Sequence, residues 1–228
     1  MTFLTTPASA TPEPATPKPT SILSSPIFKL FAYLFSWFLY SLSFVLIIYS
    51  ILSATAVGGT CASGNTAFTI AVQCPDGATD FVPWVFFTGL IAVAIGVIFA
   101  NGIGFQIRVW AWPLLFGIFG AGFLLSGQGI GYLLGGVFVI MALVPLLIEL
   151  RGSVQRVFLG SFNIFGQQFK EAPNAQPSFS SRKMPNPPDA VRAGIGDWAV
   201  ALVGFIIPTV AGYYVATLWV ASIAASNG

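Results

Sequence analysis

The chain has no histidine, and its nine Lys or Arg and seven Asp or Glu make up 7% of 228 residues. An ordinary soluble domain is about a quarter charged, so these few charges cannot clothe a water-facing surface. Without imidazole the usual haem, zinc and copper ligand sets are missing. Ser-His and Cys-His nucleophile pairs are excluded on the same ground. A net charge of +2 gives no electrostatic footprint for nucleic acid. What is abundant is apolar: 56% of the residues are hydrophobic and the mean hydropathy is +0.85. The composition is that of a multi-pass membrane protein.

Residues 1–25 are rich in Thr, Pro, Ala and Ser, with prolines at 7, 12, 14, 17 and 19. Proline blocks helix formation there, and too little apolar surface is available to offset ordering entropy. The segment lacks the basic start of a signal peptide, so it reads as a disordered cytoplasmic tail that stays attached. Five apolar stretches follow, each near the roughly 20 residues that a bilayer core requires. They run over about 28–54, 81–101, 109–125, 130–150 and 198–223. Ser25-Pro26 supplies a cap and a first-turn proline for the first. Pro145 and Pro208 predict bends in the fourth and fifth. Ser126–Gly131 must be a tight turn between the third and fourth.

The basic residues orient these spans. If all five cross, the tail (Lys18, Lys29), Arg108, and the segment with Arg151, Arg156, Lys170, Arg182, Lys183 and Arg192 share one side. Residues 55–80, the Ser126–Gly131 turn and the C-terminus share the other side and hold no Lys or Arg. The N-terminus is therefore expected inside and the C-terminus outside. Trp84, Trp110, Trp112, Trp198 and Trp219 fall near span ends, where indoles favour the interface, and Trp37 lies deeper.

The sizeable outer loop, 55–80, holds both cysteines of the chain, Cys61 and Cys74. On the oxidising side of a membrane such a pair persists as a disulfide, and closing about 14 residues is worth roughly 3 kcal/mol in the chain-entropy model. A redox pair or a metal site competes with this reading. However, the spacing is not Cys-x-x-Cys, and two thiols without histidine make a poor metal site. The β-prone run 67–72 and the Pro75-Asp-Gly77 turn signal suggest a small stapled hairpin. Cys61-x-Ser63-Gly64 followed by Cys74-Pro75-Asp76-Gly77, then a glycine-containing helix, resembles uncharacterised small multi-pass proteins of actinobacterial membranes. The resemblance covers about 60 residues. It implies a bacterial plasma membrane and a disulfide, and carries no activity.

Within the spans, Gly127, Gly131 and Gly135 stand at GxxxG spacing, which lets helix backbones approach closely. They predict packing of the third and fourth helices on each other, or contact with a protein partner or second copy through them. Gly194-Ile-Gly-Asp197 matches a GxGD signature, but that chemistry needs two neighbouring carboxylates. Asp76 and Asp80 fall on the opposite side, about 30 Å away. Asp197 is instead expected to favour the first turn of its helix. Glu149, at the inner edge, is expected to pair with Arg151 or Arg156, and no ionisable residue is expected at mid-depth. Beyond the fourth span, Val154, Phe158, Phe162, Phe165 and Phe169 fall within roughly 80° of arc at about 100° per residue. This is the pattern of an amphipathic helix over 151–171 lying in the interface. Residues 172–194 are rich in Pro and Ser and read as a cytoplasmic linker to the fifth span.

The sequence thus predicts an all-α integral membrane protein, a five-helix transmembrane bundle with an outer loop, in the bacterial inner membrane. No catalytic, cofactor-binding or metal-ligating constellation is visible. A non-enzymatic structural or accessory subunit of a larger membrane assembly is the first expectation. A small channel or transporter without intramembrane charges is the alternative.

Overall fold

The computed structural model describes residues 25–60, 78–100, 108–127, 129–171 and 186–226. They form six helices: α1 (Pro26–Thr60), α2 (Ala78–Ile98), α3 (Arg108–Leu125), α4 (Gly129–Gly152), α5 (Val154–Leu159) and α6 (Ile195–Ser226). Among the described residues there is no strand; Phe162–Gln168 and Phe169–Val191 make isolated bridges. Three helices, α1, α4 and α6, are long and apolar enough to cross a membrane, while α2 and α3 contribute shorter apolar runs, Val82–Ile98 and Val109–Leu125. The tail (1–24), the loop with Cys61 and Cys74, and residues 172–185 of the expected linker lie outside the described residues.

α1 is the hub: it packs on α2, α3 and α6, while α4 packs on α3 and α5. Its neighbours meet it through glycines, because in an apolar medium close backbone approach supplies the dispersion energy that water exclusion supplies elsewhere. A Cβ on Gly89 or Gly96 of α2 would press on Ile47 or Tyr40. On Gly122 of α3 it would meet Ile51, and on Gly204 of α6, Tyr33. On Gly212 of α6 it would collide with the Phe38 carbonyl oxygen. These pairings run in opposite senses along α1 and α2 and in the same sense along α1 and α6, and Trp37 against Trp110 with Ile51 against Gly122 gives α3 the sense of α1. The α3–α4 pair is antiparallel, Gly120 lying against Val139 and Gly135, and Gly135 against Leu124.

Several hydroxyls along α1 are satisfied locally, whereas the Trp37 indole N–H and the Tyr40 and Thr209 hydroxyls are buried without a hydrogen-bond partner among the described residues. Ser36, Ser43 and Ser50, one heptad apart and buried along α1, donate to the carbonyls of Ala32, Leu39 and Leu46 at 2.7, 2.7 and 2.8 Å. Ser41 instead reaches across to the Thr209 carbonyl of α6 at 2.6 Å. At the start of α1 the Ser25 hydroxyl accepts from the Phe28 N–H at 3.2 Å, the cap its sequence announced.

Two expectations are corrected. The surface helix expected over 151–171 is broken at Ser153 and stops at Leu159. Gly160, at φ 78°, takes a conformation that glycine adopts without strain. The chain then turns back, Gly166 taking φ 81°, so that Asn163 and Gln167 exchange backbone and side-chain hydrogen bonds. The five-residue stripe therefore splits: Phe169 is buried, whereas Val154, Phe158 and Phe165 are exposed. Nor are residues 186–194 a free linker. Val191 exchanges hydrogen bonds with the 168–170 segment, and the Asn186 side chain pairs with the Glu171 backbone.

Candidate functional site

Chemistry-bearing side chains gather at one end of the bundle, where α1, α3 and α6 begin and α4 ends. Two arrangements meet there, an ion-paired cap and an aromatic chamber.

The cap consists of α5 and the chain that folds back beneath it. The Ser153 hydroxyl accepts the Arg156 N–H at 3.2 Å and starts α5. Arg156 is buried between two carboxylates, with its guanidinium 3.0 Å from Glu171 and 3.8 Å from Glu149. The sequence expectation that Glu149 pairs with Arg151 or Arg156 thus resolves to Arg156, which binds the end of α4 to the cap. Partner loss in such a buried cluster leaves an uncompensated charge, the costly case for ion pairs. Trp110 of α3 donates its indole N–H to the Val157 carbonyl at 2.6 Å, and Phe169 and Leu159 bury against Ala201 of α6. The cap is thus bolted to α3, α4 and α6 by three different interactions.

The chamber has a volume of about 350 Å³. α1 supplies Tyr33 and Trp37, α3 Trp110 and Leu114, α5 Phe158, and α6 Trp198, Ala201, Leu202 and Phe205. The rings support one another. Trp37 lies edge-on to Tyr33, Tyr40, Trp110 and Phe205 at centroid distances of 6.4, 5.8, 5.9 and 4.7 Å, the arrangement ring quadrupoles favour. Phe158 bridges Trp110 and Trp198 at 6.2 and 6.4 Å. Tyr33 donates its hydroxyl to the Ala201 carbonyl at 3.1 Å. With Tyr33 and Trp110 turned to backbone carbonyls, the chamber wall is mostly ring carbon and aliphatic carbon, the exception being the Trp37 indole N–H, which is buried without a hydrogen-bond partner among the described residues. A second, smaller cavity of about 270 Å³ lies under the cap, between Phe165, Phe169 and the first turns of α6.

Of the glycines singled out in the sequence, Gly131 and Gly135 are consumed within the α3–α4 hairpin, against Phe123 and Leu124. Gly127 serves its turn at φ 69°. Gly129 and Gly136 face open space. Asp197 sits in the first turn of α6 and accepts the Gly194 N–H at 2.8 Å, so the GxGD match is a helix start. Among the described residues, no group of three or more Cys, Asp or Glu side chains is placed to hold a metal ion. The chamber was missed in the sequence because its walls come from four elements up to 172 positions apart. The aromatic excess between Phe31 and Phe44, and the depth of Trp37, were the signals that could have raised it.

No family model, curated protein or solved structure matches the chain.

Proposed function

We propose that the protein is a non-enzymatic, five-span accessory subunit of a larger assembly in the bacterial plasma membrane, with its cap inside and its C-terminus outside. The observation that carries this reading is the one-sided packing of α4. Its inner face is spent on α3, while Ile130, Leu133, Val137, Ile140, Val144 and Leu147 stand exposed around Gly136. A helix so placed offers a long apolar face interrupted by one small residue, suited to another helix in the bilayer. The alternating directions of α1 to α4 and the nine basic residues support five spans. The runs in α2 and α3, at about 1.5 Å per residue, come within a few ångströms of a hydrocarbon core about 30 Å thick.

The charged groups at the cap fit a structural role. Arg156 is engaged by two glutamates, and Asp197 caps α6. A pore through one copy is disfavoured by the side chains that fill α1's contacts, with Tyr33, Tyr40, Leu46 and Ile47 fully buried.

The test is mild-detergent purification with mass spectrometry of co-purifying proteins, for wild type and Gly136→Leu. A stable stoichiometric partner, lost in Gly136→Leu with the monomer still folded, is expected. A lone monomer in both preparations would sink the reading.

A further inference from the structure

We infer that the aromatic chamber holds one acyl chain of an anionic phospholipid, with the headgroup at the basic rim above it. The inference rests on the membrane-spanning reading and extends it to a specific lipid site.

The chamber is large enough for a ligand segment, at about 350 Å³, within the range of small-molecule sites. It presents hydrocarbon and ring surface, while the hydroxyl of Tyr33 and the indole N–H of Trp110 are committed to backbone carbonyls. Apart from the Trp37 indole N–H, which is buried without a partner among the described residues, a ligand that needs several hydrogen bonds finds none of them there, whereas a chain gains apolar burial without breaking any. The mouth opens between α5 and α6, where Phe158, Trp198, Leu202 and Phe205 remain 40–60% exposed. In a bilayer that surface faces acyl chains at very high local concentration.

The rim decides the headgroup. Lys29 lies one helical turn before Tyr33 on the same face of α1, with its ammonium against Gly166, and Arg192 is exposed just before α6. α1, α3 and α6 all begin at this end, so their N-terminal dipoles add positive potential. The acids of this end are Asp189, Asp197, Glu149 and Glu171, the last two facing Arg156, and the cations Lys29, Arg151, Arg156, Lys170 and Arg192 outnumber them. The balance favours an anion over a trimethylammonium group, although ring cages suit the latter.

The test is native mass spectrometry of the full chain in detergent, titrated with phosphatidylglycerol, phosphatidylcholine of the same chains, oleate and inorganic phosphate. One phosphatidylglycerol adduct is expected at about fivefold lower concentration than phosphatidylcholine, the preference one lysine near a lipid surface supplies. Leu202→Trp, which fills the mouth from its exposed edge, should weaken that adduct about tenfold with helix content and melting temperature kept. Lys29→Gln should abolish the preference while leaving phosphatidylcholine binding unchanged. Equal retention of the two lipids by wild type, an unaffected adduct in Leu202→Trp, or tighter binding of oleate or phosphate overturns the lipid site. None of these outcomes touches the co-purification test of the subunit reading, so the two can fail separately.

Discussion

At the scale of single residues, Arg156 and Gly212 carry the most consequence. Arg156 is the cation shared by the buried Glu149 and the partly buried Glu171, and replacing it with Met removes that cation from both. Breaking a buried ion cluster from one side costs about 3 kcal/mol or more. Arg156→Met should therefore lower the thermal unfolding midpoint in detergent clearly. Adding Glu149→Gln should return part of the loss, since less uncompensated charge then remains. A single variant as stable as wild type would show that the cap does not depend on this pairing. Gly212 makes a steric argument of similar weight. Any side chain there meets the α1 backbone at Phe38 and Leu42, so Gly212→Leu should cost about 3 kcal/mol by overpacking. Gly136→Leu, with nothing within 4 Å, should stay within about 0.5 kcal/mol of wild type in the isolated protein. Parallel melts of the two variants check the contrast, and equal losses would refute the assignment of Gly212 to a helix crossing.

At the scale of elements, the cap is a unit distinct from the helices it covers. Phe169 is its buried anchor, packed with Leu159 and Val191 on Ala201 of α6, and truncating such a ring costs about 3–5 kcal/mol where the surroundings cannot collapse. The cap hangs on few contacts, so Phe169→Ala should release it before the bundle melts. Limited proteolysis is expected to cut within 160–171 in the variant at protease levels that leave α1 and α6 whole. Cleavage no faster than in wild type would mean that the ion pairs and the Trp110–Val157 hydrogen bond hold the cap without Phe169.

The same region marks where the sequence could be read and where it could not. Apolar length announced where α1 to α4 and α6 lie, because a long continuous apolar run is delivered to an apolar surrounding most simply as one helix, and three of the five are long and apolar enough to cross a membrane. The stripe from Val154 to Phe169 had the right spacing for one helix, yet Gly160 and Gly166 interrupt it at positive φ. Two hydrogen-bonded returns to Asn163 and Val191 then replace helical bonds. Periodicity records which side chains want burial, not whether one helix delivers them. The chamber was illegible for a related reason: Tyr33, Trp110, Phe158 and Trp198 belong to four helices, and no local pattern joins them. Glu149 with Arg156 could be read because seven positions and a helix end bring them together.

At the scale of the whole molecule, the direction of each helix becomes a statement about the membrane. α1, α3 and α6 start at the end that holds the cap, and the Lys and Arg of the described residues gather there: Lys29, Arg151, Arg156, Lys170 and Arg192, with Arg108 opening α3. Cytoplasmic loops retain such residues while outer loops shed them, so the cap end should face the cytoplasm. α1, at 35 residues, is longer than a bilayer core requires by roughly 15 residues. The excess must tilt the helix or carry it beyond the hydrocarbon. Both senses of the orientation are open to a labelling experiment in a Cys61→Ser, Cys74→Ser background. A cysteine placed by Gln155→Cys, on the cap, should react with a membrane-impermeant maleimide only after the cells are opened. Asn227→Cys, beyond α6, should react on intact cells. If both sites label from the same side, α6 does not cross the membrane and the five-span reading fails. If the two sides are exchanged, the crossing of α6 survives and the positive charges no longer orient it.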